Sequence, residues 1–389
     1  MIFTNLSQLS NRNSIYYRFW ANCILVNGAY HCIVFDIFRS RCISVSKLFY
    51  DTFIQNKDKT IQEIKSDITI SNKKGFIKML LLFVQNDFGI FTDDPHTLPN
   101  LSMEFDSPFE ITNIVVRVNS TQDPKKMNNV IKNVSQNNIQ SIQIYDSGAM
   151  TPIQIQEIGK IFENSSLECI HILTSFTNYL TSSQLNVFNE NNRFRKIVFR
   201  HAPHKKAMLD PTNTHADIFY ESQNIDWSNC GVVKKEYFIT NQPFFIESHS
   251  CNTCLNRKVS IDIDGNIGNC PLMPHTFGNI KDVSLREVVS RPEFQRLWHI
   301  TKDQIDVCKD CEYRYICTDC RHFIKDKKNI YSQPSKCGYN PYIAKWSDEE
   351  GYVPVEDCGT YSSETGFVPD RQRIEAINRQ LERNEQLEK

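Results

Sequence analysis

The sequence predicts an α/β fold: parallel βαβ units in a partial barrel or open sheet, preceded by an α+β module and followed by a cysteine-rich domain. Three observations predict it. Strand and helix patterns alternate between residues 109 and 247, as parallel crossover units require. Residues 1 to about 100 instead carry hairpin and helix-cap signals. Eight of the 14 cysteines crowd into the stretch from Cys251 to Cys337.

The N-terminal module comes first. Tyr16 to Val26 is rich in aromatic and β-branched residues and reads as one strand, with Asn27-Gly28 as a turn signal after it. His31 to Phe38 and Arg41 to Val45 read as two more strands. Ser46 suits the N-cap of a helix carrying Leu48, Phe49 and Phe53. Thr60 and Glu63 have capping-box spacing ahead of a second helix ending near Ile68, and a third helix runs from about Lys74 to Gln85. Asn86 to Thr92 reads as a turn and short strand. Three strands, three helices and a wing give a winged-helix-like layout, bounded at residues 1–95. Asp93 to Ser107, with two prolines, is the expected linker.

Residues 108–247 form the alternating region. Strands are expected at Ile111 to Val118, Ser141 to Tyr145, Cys169 to Leu173 and Lys196 to Arg200. Shorter ones are expected at Ala216 to Tyr220 and Glu236 to Ile239. Helices are expected at Pro124 to Ser135, Thr151 to Phe162 and Ser182 to Asn189. Pro124 suits a first helical turn, where its missing N–H costs nothing. Residues 248–345 hold the cysteines, and 346–389 form a tail. In the tail, Ile374, Ile377 and Leu381 have helical spacing, which fits either a docked helix or a solvated one.

Composition narrows the function classes. Lys plus Arg is 44 and Asp plus Glu is 45, a net charge of -1, which excludes a globally basic nucleic-acid binder. The segment 46–55 contains only Lys47, so no basic recognition helix is present and no nucleic-acid partner is expected. The longest apolar run, Met79 to Val84, is far short of the ~20 residues a spanning helix needs. The opening MIFTNLSQLSNRNS lacks the features of a signal peptide. A cytoplasmic, reducing location is therefore expected, and clustered thiols there point to metal rather than disulfides. No G-x4-G-K phosphate loop occurs, so ATP chemistry would come from a partner.

The thiols have metal-ligand spacing. Cys251-x2-Cys254 is followed by Gly265 and Cys270, and VSIDIDGNIGNC reads as a hairpin turning at Asp264-Gly265. Cys308-x2-Cys311-x5-Cys317-x2-Cys320 follows, then Cys337. Eight thiolates make two four-thiolate sites with none left over. Four thiolates suit either tetrahedral zinc or an iron–sulfur cluster, and on spacing alone structural zinc is favoured. His275, His299 and His322 flank the cysteines and read as surface or supporting residues. Cys23, Cys32, Cys42, Cys169, Cys230 and Cys358 lack such spacing and read as small apolar residues. His201, His204, Lys205 and Lys206 form a basic group after a strand and read as a solvated loop.

The cysteine pattern resembles the SPASM domain of radical S-adenosylmethionine enzymes. Cys254, Gly265 and Cys270 match its first block, and Cys308, Cys311, Cys317, Cys320 and Cys337 its second. One gap departs: two residues separate Cys317 from Cys320 where the family has three. The resemblance implies two [4Fe–4S] clusters and so reverses the preference for zinc. Cys308, Cys311, Cys317 and Cys337 would hold one cluster, and Cys251, Cys254, Cys270 and Cys320 the other. The stretches FWANCILVNG, CKDCEYRYICTDCR and KCGYNPYIAKW extend the likeness to the SPASM-domain peptide maturases of grasp-with-spasm systems. That likeness implies maturation of a ribosomally synthesised precursor peptide beside an ATP-grasp ligase. Winged-helix units bind DNA or, as in precursor-recognition domains of peptide-maturing enzymes, a leader peptide along a strand edge; with no basic recognition helix, residues 1–95 are expected to be a peptide-recognition module, with a plain packing domain as the alternative.

Against working radical S-adenosylmethionine enzymes two features are missing. Radical enzymes carry C-x3-C-x2-C after the first barrel strand; here Val118 to Pro124 reads VNSTQDP. The next loop would carry GGEP and reads YDSGAM, Tyr145 to Met150. The barrel is thus expected to be degenerate, without S-adenosylmethionine cleavage. An enzymatic role and a non-catalytic role binding leader and ligase both stay open, the latter with structural clusters or zinc.

Overall fold

The computed structural model describes residues 2–3, 14–67, 69–96, 98–181, 183–184, 191–209, 216–362 and 364–387. The chain divides into two compact units that do not follow chain order. One comprises Met1–Phe105, Gly231–Cys251 and Ile300–Lys389; the other comprises Asp106–Cys230 and Asn252–His299.

The first unit begins with strands β1 (Ile2–Phe3), β2 (Tyr16–Phe19), β3 (Cys23–Val26), β4 (His31–Asp36) and β5 (Arg41–Ser46). Helices α1 (Lys47–Asn56), α2 (Ile61–Ser66) and α3 (Lys73–Gln85) follow, then β6 (Gly89–Thr92). The single strand expected from Tyr16 to Val26 is two strands in two sheets, β1-β6-β2 and β3-β4-β5, both antiparallel. The break is local: Cys23 N–H donates to the Trp20 carbonyl at 2.8 Å, and the Asn22 amide donates to Asp36 at 2.7 Å. The caps are as expected. Ser46 Oγ accepts from Phe49 N–H at 3.1 Å, and Thr60 and Glu63 form a reciprocal box. Phe49, Ile64, Phe76, Leu80 and Phe83 pack against Tyr17 and Phe91 to bury the helices' apolar faces.

The second unit is mixed α/β around a parallel sheet. Its elements are β7 (Ile111–Val118), α4 (Pro124–Ser135), β8 (Ile139–Asp146), α5 (Pro152–Ile161), β9 (Cys169–Ser175), β10 (Phe194–Arg200), β11 (Lys206–Met208) and β12 (Asp217–Tyr220). The chain then returns to the first unit for α6 (Gln242–Ser250). It adds β13 (Lys258–Ile261), β14 (Ile267–Gly268), α7 (Leu285–Val289) and α8 (Pro292–Gln295) to the second. The sheet order is β11-β12-β10-β9-β8-β7-β13-β14. Strands β12 to β13 in that order run parallel, and β11 and β14 pair antiparallel at the ends. The hairpin predicted at Asp264-Gly265 is β13–β14, with Gly265 at φ +90, a conformation glycine adopts without strain. Its first strand lies beside β7 and extends the parallel sheet. Isoleucines 114, 142, 144, 170, 172 and 197 pack with Val130, Ile131 and Val134 of α4 and Ile155 and Ile158 of α5.

Glu236 to Ile239 is not a strand. Lys235–Tyr237 is a 3-10 turn, closed by Tyr237 N–H on the Lys234 carbonyl at 3.1 Å. Most of the helix expected from Ser182 to Asn189, residues 182 and 185–189, lies outside the described residues.

The first unit ends with two short hairpins, β15 (Tyr339–Asn340) with β16 (Lys345–Trp346) and β17 (Gly359–Ser362) with β18 (Gly366–Pro369). Then comes α9 (Arg371–Leu387). Ile374, Ile377 and Leu381 pack against Val307, Tyr342, Ile343, Val355 and Phe367, so this tail is a docked helix. Among the described residues no helix is long and apolar enough to cross a membrane.

Candidate metal centre

Four of the expected ligands, all in the first unit, come together. Cys308–Asp310 is a 3-10 turn entered through Val307, whose φ of 66 is unusual for a β-branched residue. Cys308 N–H donates to the Asp306 carbonyl at 2.7 Å, and Cys311 N–H donates to the Cys308 carbonyl at 3.0 Å. This tight turn is why C-x2-C spacing brings two thiols together. A second turn, Ile316 N–H on Tyr313 at 3.1 Å, leads into Cys317. Cys337 arrives from far along the chain. Val233 N–H donates to the Lys336 carbonyl at 3.3 Å, and Val233 forms a parallel bridge with Cys337.

Cys308, Cys311, Cys317 and Cys337 line one cavity, walled by Phe238, Val307, Tyr339 and Trp346 and reached by Lys302. Cys308 and Cys317 are buried, and Cys311 and Cys337 half-buried. Among the described residues, no three His, Cys, Asp or Glu side chains form a group that holds a single metal ion. Burial pushes the Cys308 thiol up to about 12, with Lys302 pulling the other way. Burial likewise raises Cys311 well above the usual thiol range and raises Cys337. Burial thus favours the protonated form of Cys308, Cys311 and Cys337, and a bound cluster would hold them as thiolates. Such a donor set fits a cationic iron–sulfur core and suits no free nucleophile.

The other four cysteines divide between the units: Cys251 and Cys320 in the first, Cys254 and Cys270 in the second. Cys251 closes α6, its N–H donating to the Glu247 carbonyl at 2.8 Å. Cys320 is buried beside Gly231, where an added Cβ would lie 3.1 Å from its sulfur. Asn252 Oδ1 accepts from Cys254 N–H and Leu255 N–H, both at 3.0 Å, an Asx turn that shapes the first C-x2-C. Cys270 is buried after β14. Of the scattered cysteines, Cys23, Cys32 and Cys358 are buried, Cys169 and Cys230 half-buried, and Cys42 exposed.

Two residues escaped the sequence reading. Asn252 carried a usable signal, an Asx residue inside C-x2-C. Lys302 carried none, because it lies outside every cysteine motif. Its Nζ donates to Cys317 Sγ at 3.1 Å.

Residues 251–312 match the model of the SPASM family, an iron–sulfur cluster-binding domain. The chain carries a SPASM domain. The match covers Cys251, Cys254, Cys270, Cys308 and Cys311. Among curated proteins the chain has no match. Among solved structures it is similar to Streptococcus suis SuiB bound to S-adenosylmethionine, with 12% identity, 82% of this chain and 97% of that one covered, and a TM-score of 0.35. It is also similar to SuiB bound to the precursor peptide SuiA, with 11% identity, the same coverage and a TM-score of 0.36.

In the second unit, protein groups tie together the carboxyl ends of β7, β8 and β9. Asp146, at the end of β8, accepts from Ser120 N–H (2.8 Å), Ser120 Oγ (2.7 Å), Thr174 Oγ1 (2.7 Å) and Gly148 N–H (3.0 Å). All three side chains are buried. In the loop after β10, His201 has a φ of 59, and Lys205 pairs with Glu221 at 3.3 Å.

Proposed function

We propose that this chain is a cytoplasmic iron–sulfur protein that helps mature a ribosomally synthesised precursor peptide beside an ATP-grasp ligase. One observation carries the reading: four buried or half-buried thiols of the SPASM region line a single cavity. Cys308, Cys311, Cys317 and Cys337 would hold one [4Fe–4S] cluster. The second cluster, on Cys251, Cys254, Cys270 and Cys320, rests on the sequence resemblance. A cluster of this type supplies one-electron transfer when bound. Four protein ligands would leave no open iron, so the chain's residues would hold the group and exclude water rather than present it to substrate. The loops after β7 and β8 carry no cysteine motif and no GGEP, which favours peptide handling without S-adenosylmethionine cleavage.

Residues 1–95 are read as the winged-helix-like peptide-recognition module. Two features support this. Strand β5 ends its sheet, and its Cys42, Ser44 and Ser46 are exposed. Beside its end, a groove of about 240 Å³ is lined by Ser46, Phe49 and Thr52 on one side and Asn72, Phe76 and Met79 on the other. An extended peptide added along β5 would gain backbone hydrogen bonds and set side chains in that groove.

The test is metal and sulfide analysis of anaerobically purified protein. About eight irons and eight sulfides per chain support the reading. About two zincs without iron overturn it, leaving a zinc-stabilised binding protein. A mass change in the precursor on incubation with this chain alone would make it a modifying enzyme. Binding without a mass change would make it an adaptor.

A further inference from the structure

We infer that Lys302 sets the reduction potential of the group held by Cys308, Cys311, Cys317 and Cys337, an inference that rests on the iron–sulfur reading above. Lys302 opens a 3-10 turn, Lys302–Gln304, whose preceding Thr301 N–H is capped by Gln304 Oε1 at 3.0 Å. The cap fixes the direction in which the lysine leaves the backbone. The side chain then runs inward: the residue is only 6% exposed. Its Nζ ends 3.1 Å from Cys317 Sγ, and Lys302 and all four cysteines line the same cavity.

A buried ammonium needs an anion. The groups facing Lys302 are Cys317, Cys308 and Asp319. Asp319 is itself buried and bonded to the buried Arg321 at 2.5 Å, so its charge is shared with a second cation. With a cluster bound, the coordinated thiolates would be the anions that balance Lys302.

The electrostatic consequence has a definite sign. Four thiolates give an oxidised [4Fe–4S] site net negative charge, and an added electron increases it. A cation and hydrogen-bond donor at a ligand sulfur therefore stabilises the reduced form more than the oxidised form and raises the potential. The reaction is one electron from an external reductant such as dithionite, taking [4Fe–4S]2+ to [4Fe–4S]+.

The experiment is a potentiometric titration of the full chain, followed by electron paramagnetic resonance. Lys302→Met removes the charge and keeps the stem. It is expected to lower one midpoint potential, that of the signal lost in Cys308→Ala, with iron and sulfide counts unchanged. Lys302→Arg is expected to stay close to the wild type. An unchanged midpoint in Lys302→Met at full iron content overturns the role of Lys302 and leaves the cluster reading standing. Wild-type protein without iron overturns both. Should Lys302→Met fail to retain iron, pulsed resonance on 15N-lysine-labelled wild type decides. One 15N coupling to the reduced site is expected, and it is expected to vanish in Lys302→Arg grown with the same label. No difference between those two samples overturns the inference.

Discussion

Ser120 and Asp146 are joined twice: the backbone N–H and the hydroxyl of Ser120 both donate to the Asp146 carboxylate, at 2.8 and 2.7 Å. The first residues after β7 are thereby fastened to the end of β8, and Thr174 of β9 adds a third tie at 2.7 Å. In open α/β sheets this end of the strands is where ligands bind. Here the carboxylate that ends β8 is occupied by hydrogen bonds from the protein itself.

Asp146→Asn should therefore act on stability. It replaces a charged acceptor of four hydrogen bonds by an amide that satisfies fewer, at a cost of about 2–3 kcal/mol. Ser120→Ala should cost about 1–2 kcal/mol, since it removes one bond to a charged group. Urea unfolding of the two single variants and the double variant measures the coupling. Strict additivity would show that the two groups do not interact.

Cys308→Ala should lower iron and sulfide by about half, because one of two four-thiolate sites loses a ligand. Cys169→Ala, at a half-buried position on β9 outside every cysteine motif, should leave both counts unchanged. Equal metal content in Cys308→Ala and wild type would remove Cys308 from the ligand set.

A photo-crosslinking side chain in place of the exposed Cys42 should capture the precursor peptide, because β5 ends its sheet. The same group at Tyr361, on the β17–β18 hairpin, should not. Capture at Tyr361 alone would overturn the strand-addition reading of residues 1–95.

Asp36 should give the N-terminal module an acid limb. Burial pushes its carboxyl up, but hydrogen bonds from Arg41, Arg39 and Asn22 outweigh this and hold it below the usual aspartate range. Because the folded-state value is depressed, the stabilisation is complete above the unfolded value of about 3.9 and is lost as pH falls through the folded value. Asp36→Asn should lower stability by about 2 kcal/mol at neutral pH and flatten the dependence below about pH 4. Thermal unfolding between neutral pH and about pH 3 checks it; parallel curves for variant and wild type would contradict it.

The sequence by itself determined what short-range bonding controls. Thr60 with Glu63, Ser46 before α1 and Pro124 at the start of α4 set helix starts, because a cap is satisfied within four residues. C-x2-C spacing announced the turn at Cys308 to Cys311, and Asp264-Gly265 announced the β13–β14 hairpin, again from local backbone bonds. The tertiary structure alone decided the long-range pairings. Tyr16 to Val26 looks like one strand, yet Asn22 is drawn to Asp36 and the chain turns between two sheets. Strand β13 comes from the cysteine-rich segment, yet its partner is β7, far back in the chain. Cys337 joins Cys308 through a bridge to Val233, and Lys302 meets Cys317 because the interior leaves its ammonium no solvent. Strand partners and buried counter-charges are chosen by which surfaces meet when the chain collapses, and no periodicity or spacing in one sequence encodes that choice locally.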